Sequence, residues 1–273
     1  MDGSLAIGLL GPLQVLSRGH PVPVTAPRRQ VLLAALALEV GQPVSSTVLA
    51  RYLWGDDLGG DTRRAVATVV TRLRQDLGVD AIHRTSGGYV LTVPADAVDV
   101  HHFRSLLESA RSIACASRLH LLDRALAYWR GDALQELSSD KLVAEYAPRL
   151  NEERYTATER RVDLLLAAGR HADLVAQLRH LTSQQPLREG LWCRLIAALY
   201  RCGRQAEALE AYREVHRLLA DQLGIAPGPE LVAARHAVLT HDPSMAAPKS
   251  ARRIRPVRQR HEVRRLVRLR RAG

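Results

Sequence analysis

The chain contains a single phenylalanine, and aromatic residues make up only 4% of it. A core without rings must be built from Leu, Val and Ala, and Ala and Leu are the residues that cost a helix least. Helices are therefore the expected framework. No apolar run approaches the roughly 18 residues that a membrane span needs. The start, Met1-Asp2-Gly3-Ser4, lacks the basic residues and long apolar stretch of a signal peptide. A cytoplasmic location with no membrane partner is expected. The three cysteines, Cys115, Cys193 and Cys202, form no C-x-x-C pair. A set so sparse and odd in number argues for reduced thiols rather than a disulfide framework. The motifs G-x-x-x-x-G-K-[ST], H-E-x-x-H and G-x-S-x-G are all missing, and no G-x-G-x-x-G follows a strand. His101 and His102 are adjacent, so their rings diverge on a helix or a strand. The expectation is a protein that is not an enzyme, with no catalytic residue, no cofactor and no metal site.

What is abundant is arginine: 37 of them against two lysines. The formal net charge is +11, but residues 246–273 alone hold eleven Lys/Arg and one acid, Glu262. Residues 1–245 keep 28 basic and 27 acidic side chains. A nucleic-acid site in the body must then be a local patch, since there is no general field. The tail reads as a solvated basic segment.

Residues 4–24 read as short strands. Leu5 to Leu10 and Leu13 to Leu16 flank Gly11-Pro12, and Val22 and Val24 form an edge around Pro23. A helix is expected over 28–40, stopped by Gly41-Gln42-Pro43, and a second over 47–54, capped by Ser45 or Ser46 and ended by Gly55. A third starts after Asp61 or Thr62 and stops at Gly78. Its Val66, Val70, Leu73 and Leu77 recur at helical spacing and make one buried stripe. Ile82-His83-Arg84, a Gly-containing turn at 85–88 and Tyr89-Val90-Leu91 read as a hairpin. Strands, three helices and a closing hairpin make a winged helix-turn-helix domain, expected over 1–97.

After a connector at 94–99 the pattern is helical to about Thr240, with stops at Gly131, Gly169, Pro186, Gly203, Gly224 and Pro227. Ala168-Gly169-Arg170-His171-Ala172-Asp173 recurs 34 residues later as Cys202-Gly203-Arg204-Gln205-Ala206-Glu207. That is the tetratricopeptide period. Trp192-x-x-Leu195, Ala208-x-x-x-Tyr212 and Pro186 fall where such a repeat requires them. The fold class expected is mainly α with a small β component: a winged helix-turn-helix domain, then an all-α tetratricopeptide-like domain over 98–242, then a basic tail over 243–273.

The third helix carries the chemistry. With the Val/Leu stripe inward, Arg64, Ala67, Thr68, Thr71 and Gln75 face outward and Arg72 lies at the flank. Arg can bond guanine or phosphate, Thr can bond phosphate or touch a thymine methyl, and Ala permits close approach. Any surface helix of an arginine-rich chain looks partly like this; its place as the third helix before a wing is what points to a major groove. Arg64, Ala67, Thr68, Thr71 and Arg72 are the candidates for reading bases. Arg63, Arg74, Gln75, Arg84 and Gly87 are the candidates for phosphate or wing contacts. Arg84 on the hairpin reads equally as a phosphate contact or as a plain edge residue. Tyr89 reads as packing.

Several runs resemble the Streptomyces antibiotic regulatory protein family. They are Gly8-Leu9-Leu10-Gly11-Pro12-Leu13-Gln14-Val15, Tyr52-Leu53-Trp54-Gly55, Thr71-Arg72-Leu73-Arg74-Gln75-Asp76-Leu77-Gly78, Gly88-Tyr89, Ala127-Tyr128-Trp129-Arg130-Gly131 and Pro186-Leu187-Arg188-Glu189. The most specific are Gly203-Arg204-Gln205-Ala206-Glu207-Ala208-Leu209 and Leu223-Gly224-Ile225-Ala226-Pro227-Gly228-Pro229-Glu230-Leu231. Together they cover about residues 5–240. The resemblance implies an OmpR-type winged helix followed by a bacterial transcriptional activation domain. It implies an activator of a secondary-metabolite gene cluster that binds direct repeats in double-stranded promoter DNA as a homodimer and recruits RNA polymerase holoenzyme. Ala67 and Val69 depart from it, standing where such proteins often carry polar residues. Base preference is therefore not carried over. Two alternatives stay open: a tetratricopeptide-type interaction scaffold, and a repressor using the same DNA-binding domain.

Overall fold

The computed structural model describes residues 5–56, 61–77 and 81–242. The helix stop expected at Gly78 and the basic stretch 243–273 lie outside the described residues. The chain divides into two compact units, one reaching to Ala157 and one beginning at Thr158.

The first unit opens with an antiparallel sheet of β1 (Leu5–Gly8), β2 (Gln14–Ser17) and β3 (His20–Pro21), in that order. The edge strand expected at Val22 and Val24 is shifted to His20–Pro21. Val22 N–H still donates to the Val15 carbonyl at 2.9 Å. Pro21 and Pro23 have no N–H, so the ladder goes no further. Three helices follow: α1 (Pro27–Leu38), α2 (Ser46–Trp54) and α3 (Thr62–Leu77), each packed on the other two. Proline opens α1, where the missing N–H costs nothing. Residues Val31 to Leu38 are all buried, which makes α1 the centre of the unit. The Ser45 hydroxyl caps α2 by accepting from Val48 N–H at 3.3 Å. The hairpin of β4 (Ile82–Thr85) and β5 (Gly88–Leu91) turns through Ser86-Gly87. Val44 and Tyr89 exchange two backbone hydrogen bonds, 2.8 and 3.0 Å, which fasten the hairpin to the segment before α2. Gly88 makes that approach possible. Its φ is +139°, and a Cβ there would lie 2.0 Å from the Val44 carbonyl oxygen. Tyr89 is buried, as expected of a packing residue.

The unit continues through α4 (Asp99–Arg111), α5 (Cys115–Leu126) and the first part of α6 (Asp140–Ala167). The helical pattern expected throughout this stretch breaks at 127–139, a run of turns in which Leu134 and Glu136 have φ of 58° and 66°. The reason is long-range. Arg130 N–H donates to the Leu10 carbonyl at 2.8 Å and Leu134 N–H to the Leu9 carbonyl at 2.9 Å. In return, the buried Asp99 carboxylate accepts from Leu9 N–H at 2.8 Å, Leu10 N–H at 3.0 Å and the Arg130 guanidinium at 2.9 Å. Backbone bonds to Leu9 and Leu10, the two residues that follow β1, replace the intrahelical ones.

In the second unit the end of α6 is followed by α7 (His171–Gln184), α8 (Glu189–Arg201), α9 (Gln205–Leu223) and α10 (Pro229–Thr240). Helix α8 packs on α7 and α9, and α10 packs on both α8 and α9. The 34-residue recurrence is a recurrence of backbone geometry. Gly169 and Gly203 have φ of 76° and 75°. Gly169 and Arg170 donate to the Leu166 and Leu165 carbonyls, at 3.1 and 2.9 Å; Gly203 and Arg204 donate to Tyr200 and Leu199, at 2.9 and 3.0 Å. Both turns thus close helices in the same way, one glycine taking the left-handed conformation each time. Trp192 is buried and donates its indole N–H to the Pro186 carbonyl at 2.9 Å. The fold is that of a winged-helix region followed by a helical domain.

Candidate nucleic-acid interface

Helix α3 owes its orientation to its inward stripe. Val66, Val70, Leu73 and Leu77 are each at most 2% exposed. Asp61 starts the helix: its carboxylate accepts from Arg64 N–H at 3.1 Å and its carbonyl from Ala65 N–H at 3.1 Å. A carboxylate at this end also suits the helix dipole. Of the residues singled out on sequence, Arg63, Arg64, Thr68, Thr71, Arg72 and Gln75 are exposed along α3. Ala67 and Arg74 are half-buried there, and Arg84 and Gly87 are exposed on the hairpin.

These positions form two neighbouring rows at a spacing of four residues. One row is Arg64, Thr68, Arg72; the other is Ala67, Thr71, Gln75. Side chains three and four apart are neighbours on a helix surface, so the two threonines sit together at the centre with arginines at both ends. Residues 62–75 include four arginines and no acid, and 82–91 include Arg84 and no acid. Among the described residues, Arg63, Arg64, Arg72 and Arg84 form no ion pair. Elsewhere arginines are mostly occupied, as with Arg104 on Glu153 and Arg194 on Asp163. An exposed face of unpaired cations is what a phosphate backbone neutralises.

Arg74 differs from its neighbours. Its Nε and Nη2 both donate to the Ile82 carbonyl, at 2.9 and 2.5 Å. This guanidinium ties α3 to the hairpin. A second tie, Arg29 to Asp76 at 2.5 Å, joins α3 to α1. Neither was legible in the sequence, because each partner is identified only by the tertiary pairing. The threonine hydroxyls are also engaged: Thr68 donates to the Arg64 carbonyl at 3.0 Å and Thr71 to the Ala67 carbonyl at 2.9 Å.

Among the described residues no group of three or more His, Cys, Asp or Glu stands where it could hold a metal ion. His101 Nε2 lies 3.0 Å from the Ala37 carbonyl, whereas the His102 ring lies near that of Tyr128, so the two imidazoles diverge. No described helix is long and apolar enough to cross a membrane.

Fold and surface together define a winged-helix region with an exposed, arginine-bearing third helix, followed in the chain by a helical domain. Residues 19–94 match the family model described as "Transcriptional regulatory protein, C terminal", and residues 98–239 match "Bacterial transcriptional activator domain". Regulatory protein DnrI of Streptomyces peucetius is 31% identical over 256 residues, 88% of this chain and 94% of DnrI. Regulatory protein AfsR of Streptomyces coelicolor is 37% identical over 250 residues, which is 90% of this chain but 25% of AfsR. The solved structure of Mycobacterium tuberculosis EmbR, in complex with a low-affinity phosphopeptide, superposes with a TM-score of 0.82 at 33% identity, covering 92% of this chain and 67% of that one. The chain belongs to the Streptomyces antibiotic regulatory protein family. It spans about a quarter of the length of AfsR.

Proposed function

We propose that the chain switches on a secondary-metabolite gene cluster by binding promoter duplex and recruiting RNA polymerase holoenzyme. Residues 1–97 form the DNA-binding domain and 98–242 the activation domain. The observation that carries this reading is the acid-free run of α3 and the hairpin, with Arg63, Arg64, Arg72 and Arg84 in no ion pair among the described residues. Helix α3 enters the major groove. Arg64, Ala67, Thr68, Thr71 and Arg72 meet base edges, and Arg63, Gln75, Arg84 and the Gly87 backbone meet phosphates or the adjacent groove. Arg74 serves from behind, holding the hairpin to α3. Two copies occupy direct repeats on one face of the duplex, which sets the half-sites about 10–10.5 bp apart.

The test is footprinting of the full chain on the promoters of neighbouring genes, followed by transcription in vitro with purified polymerase. The reading requires protected direct repeats, activation from the same promoters, and an affinity that falls steeply with salt. A salt-independent interaction with duplex would leave the helical domain as a protein-binding scaffold and overturn the proposal.

A further inference from the structure

The centre of the α3 face is less polar than its residue names suggest. A threonine hydroxyl has one hydrogen to give. In Thr68 and Thr71 it is given to the helix's own backbone, to the carbonyls of Arg64 and Ala67 at 3.0 and 2.9 Å. This back-bonding is a standard option for Thr inside a helix. It has a chemical consequence. A hydroxyl already donating inward cannot donate to a phosphate oxygen or to the acceptors of guanine. Both residues nevertheless remain exposed. With each Oγ1 held against the backbone, the Cγ2 methyl takes another staggered position on the same Cβ. The Ala67 methyl lies beside them, four residues before Thr71. The face is therefore three methyl-bearing side chains, rimmed by Arg64, Arg72 and Gln75.

In the major groove one base presents an apolar group: thymine, through its C5-methyl. We infer that Thr68 and Thr71, with Ala67 beside them, read thymine methyls, so that this protein's half-site is defined by A·T pairs at the centre of the α3 footprint. The arginine rim holds phosphate or guanine on either side. This inference rests on the proposal that α3 enters the major groove, and it adds the base and the atom recognised.

Uracil isolates the claim, because it pairs as thymine does and lacks only the methyl. The full chain is used to select duplexes from a random library, and the winning duplex is then synthesised with dT and with dU. Burial of one methyl group is worth about fourfold in affinity, so two contacts predict a dT/dU ratio of roughly fifteenfold. Two double variants separate methyl from hydroxyl. Thr68→Val with Thr71→Val keeps the methyls and should retain the ratio. Thr68→Ser with Thr71→Ser keeps the hydroxyls and should bring it close to one. The ratio is taken within one protein, so the folded fraction of a variant does not affect it. Equal affinity of the wild-type chain for dT and dU duplexes overturns the inference. So does a ratio lost in the valine variant and kept in the serine variant, which would mean the hydroxyls do the reading. If no duplex is enriched at all, the DNA-binding proposal fails as well. Enrichment with a dT/dU ratio of one removes only the inference.

Discussion

The buried carboxylate of Asp99 should be the most sensitive single group in the first unit. It accepts from the N–H groups of Leu9 and Leu10, residues that are 1% and 0% exposed, and from Arg130. Asp99→Ala removes the acceptor for two buried amides. Each unsatisfied group costs about 1–3 kcal/mol, so the total is about 4 kcal/mol. Arg130 adds little to that loss, since it is 26% exposed and keeps the Pro12 carbonyl at 2.8 Å. For a unit of this size the cost corresponds to a fall in Tm of about 8–16 °C. Arg130→Ala is milder, because the carboxylate retains both amides: about 1.5–3 kcal/mol, one charged hydrogen bond. The double variant should resemble Asp99→Ala alone, since most of what Arg130 contributes needs that carboxylate. The pH dependence gives an independent check. Burial pushes the Asp99 carboxyl above its ordinary 3.8, while the Leu9 and Leu10 amides and then Arg130 pull it down. Removing Arg130 lets it rise further. A carboxyl whose pKa is raised by folding contributes stability below its unfolded value and loses it as pH rises through the folded value. The gap between Arg130→Ala and the wild type should thus be smallest near pH 4 and widen upward. Thermal and urea unfolding followed by circular dichroism from pH 4 to 8 measure all of this. Asp99→Ala melting within about 2 °C of wild type would refute the reasoning. So would a double variant whose destabilisation equals the sum of the two singles.

Other substitutions probe the α3 face, the hairpin, the helical domain and the tail. Arg72→Ala should weaken operator binding by about 1–3 kcal/mol with an unchanged melt, while Val70→Asp, which buries an unpaired charge, should unfold the winged helix; gel shift and circular dichroism distinguish them, and undiminished binding by Arg72→Ala would move the reading face elsewhere. Gly88→Ala forces a Cβ onto the Val44 carbonyl in a left-handed backbone, and should cost about 1–3 kcal/mol and loosen the hairpin, seen as faster hydrogen exchange at Val44 and Tyr89. Ala208 is fully buried in α9, so Ala208→Leu should overpack the second unit by about 1–3 kcal/mol and lower transcription activation; a wild-type melt would mean the site has room. Residues 246–273 carry +10 of the formal +11, so ending the chain after Met245 should weaken operator and random duplex by similar factors and make the salt slope shallower by about 0.9 for each phosphate that the tail neutralises; superimposable slopes would show that the tail takes no part.

Where a feature depends on neighbours within a turn or two, it was legible in the chain. The stripe Val66, Val70, Leu73 and Leu77 gave α3 and its buried side, because helical spacing alone puts those four together. The turns at Gly169 and Gly203 were legible for a related reason: the same six-residue pattern closes both helices through the same local hydrogen bonds. The outward placement of Arg64, Thr68, Thr71 and Arg72 followed from the stripe by subtraction. Other features need a partner far along the chain. Nothing local distinguishes Asp99 from any first-turn acid; its role depends on amides about 90 residues away. The same holds for the turns at 127–139, whose helical pattern yields to backbone bonds with Leu9 and Leu10. Arg74 and Arg72 are two residues apart on one helix, yet only folding puts the Ile82 carbonyl in front of one and leaves the other open. The residue types on α3 were set by the sequence; which arginines are spent inside, and which way each threonine hydroxyl gives its hydrogen, are decided by competition for the nearest acceptor once the chain is packed.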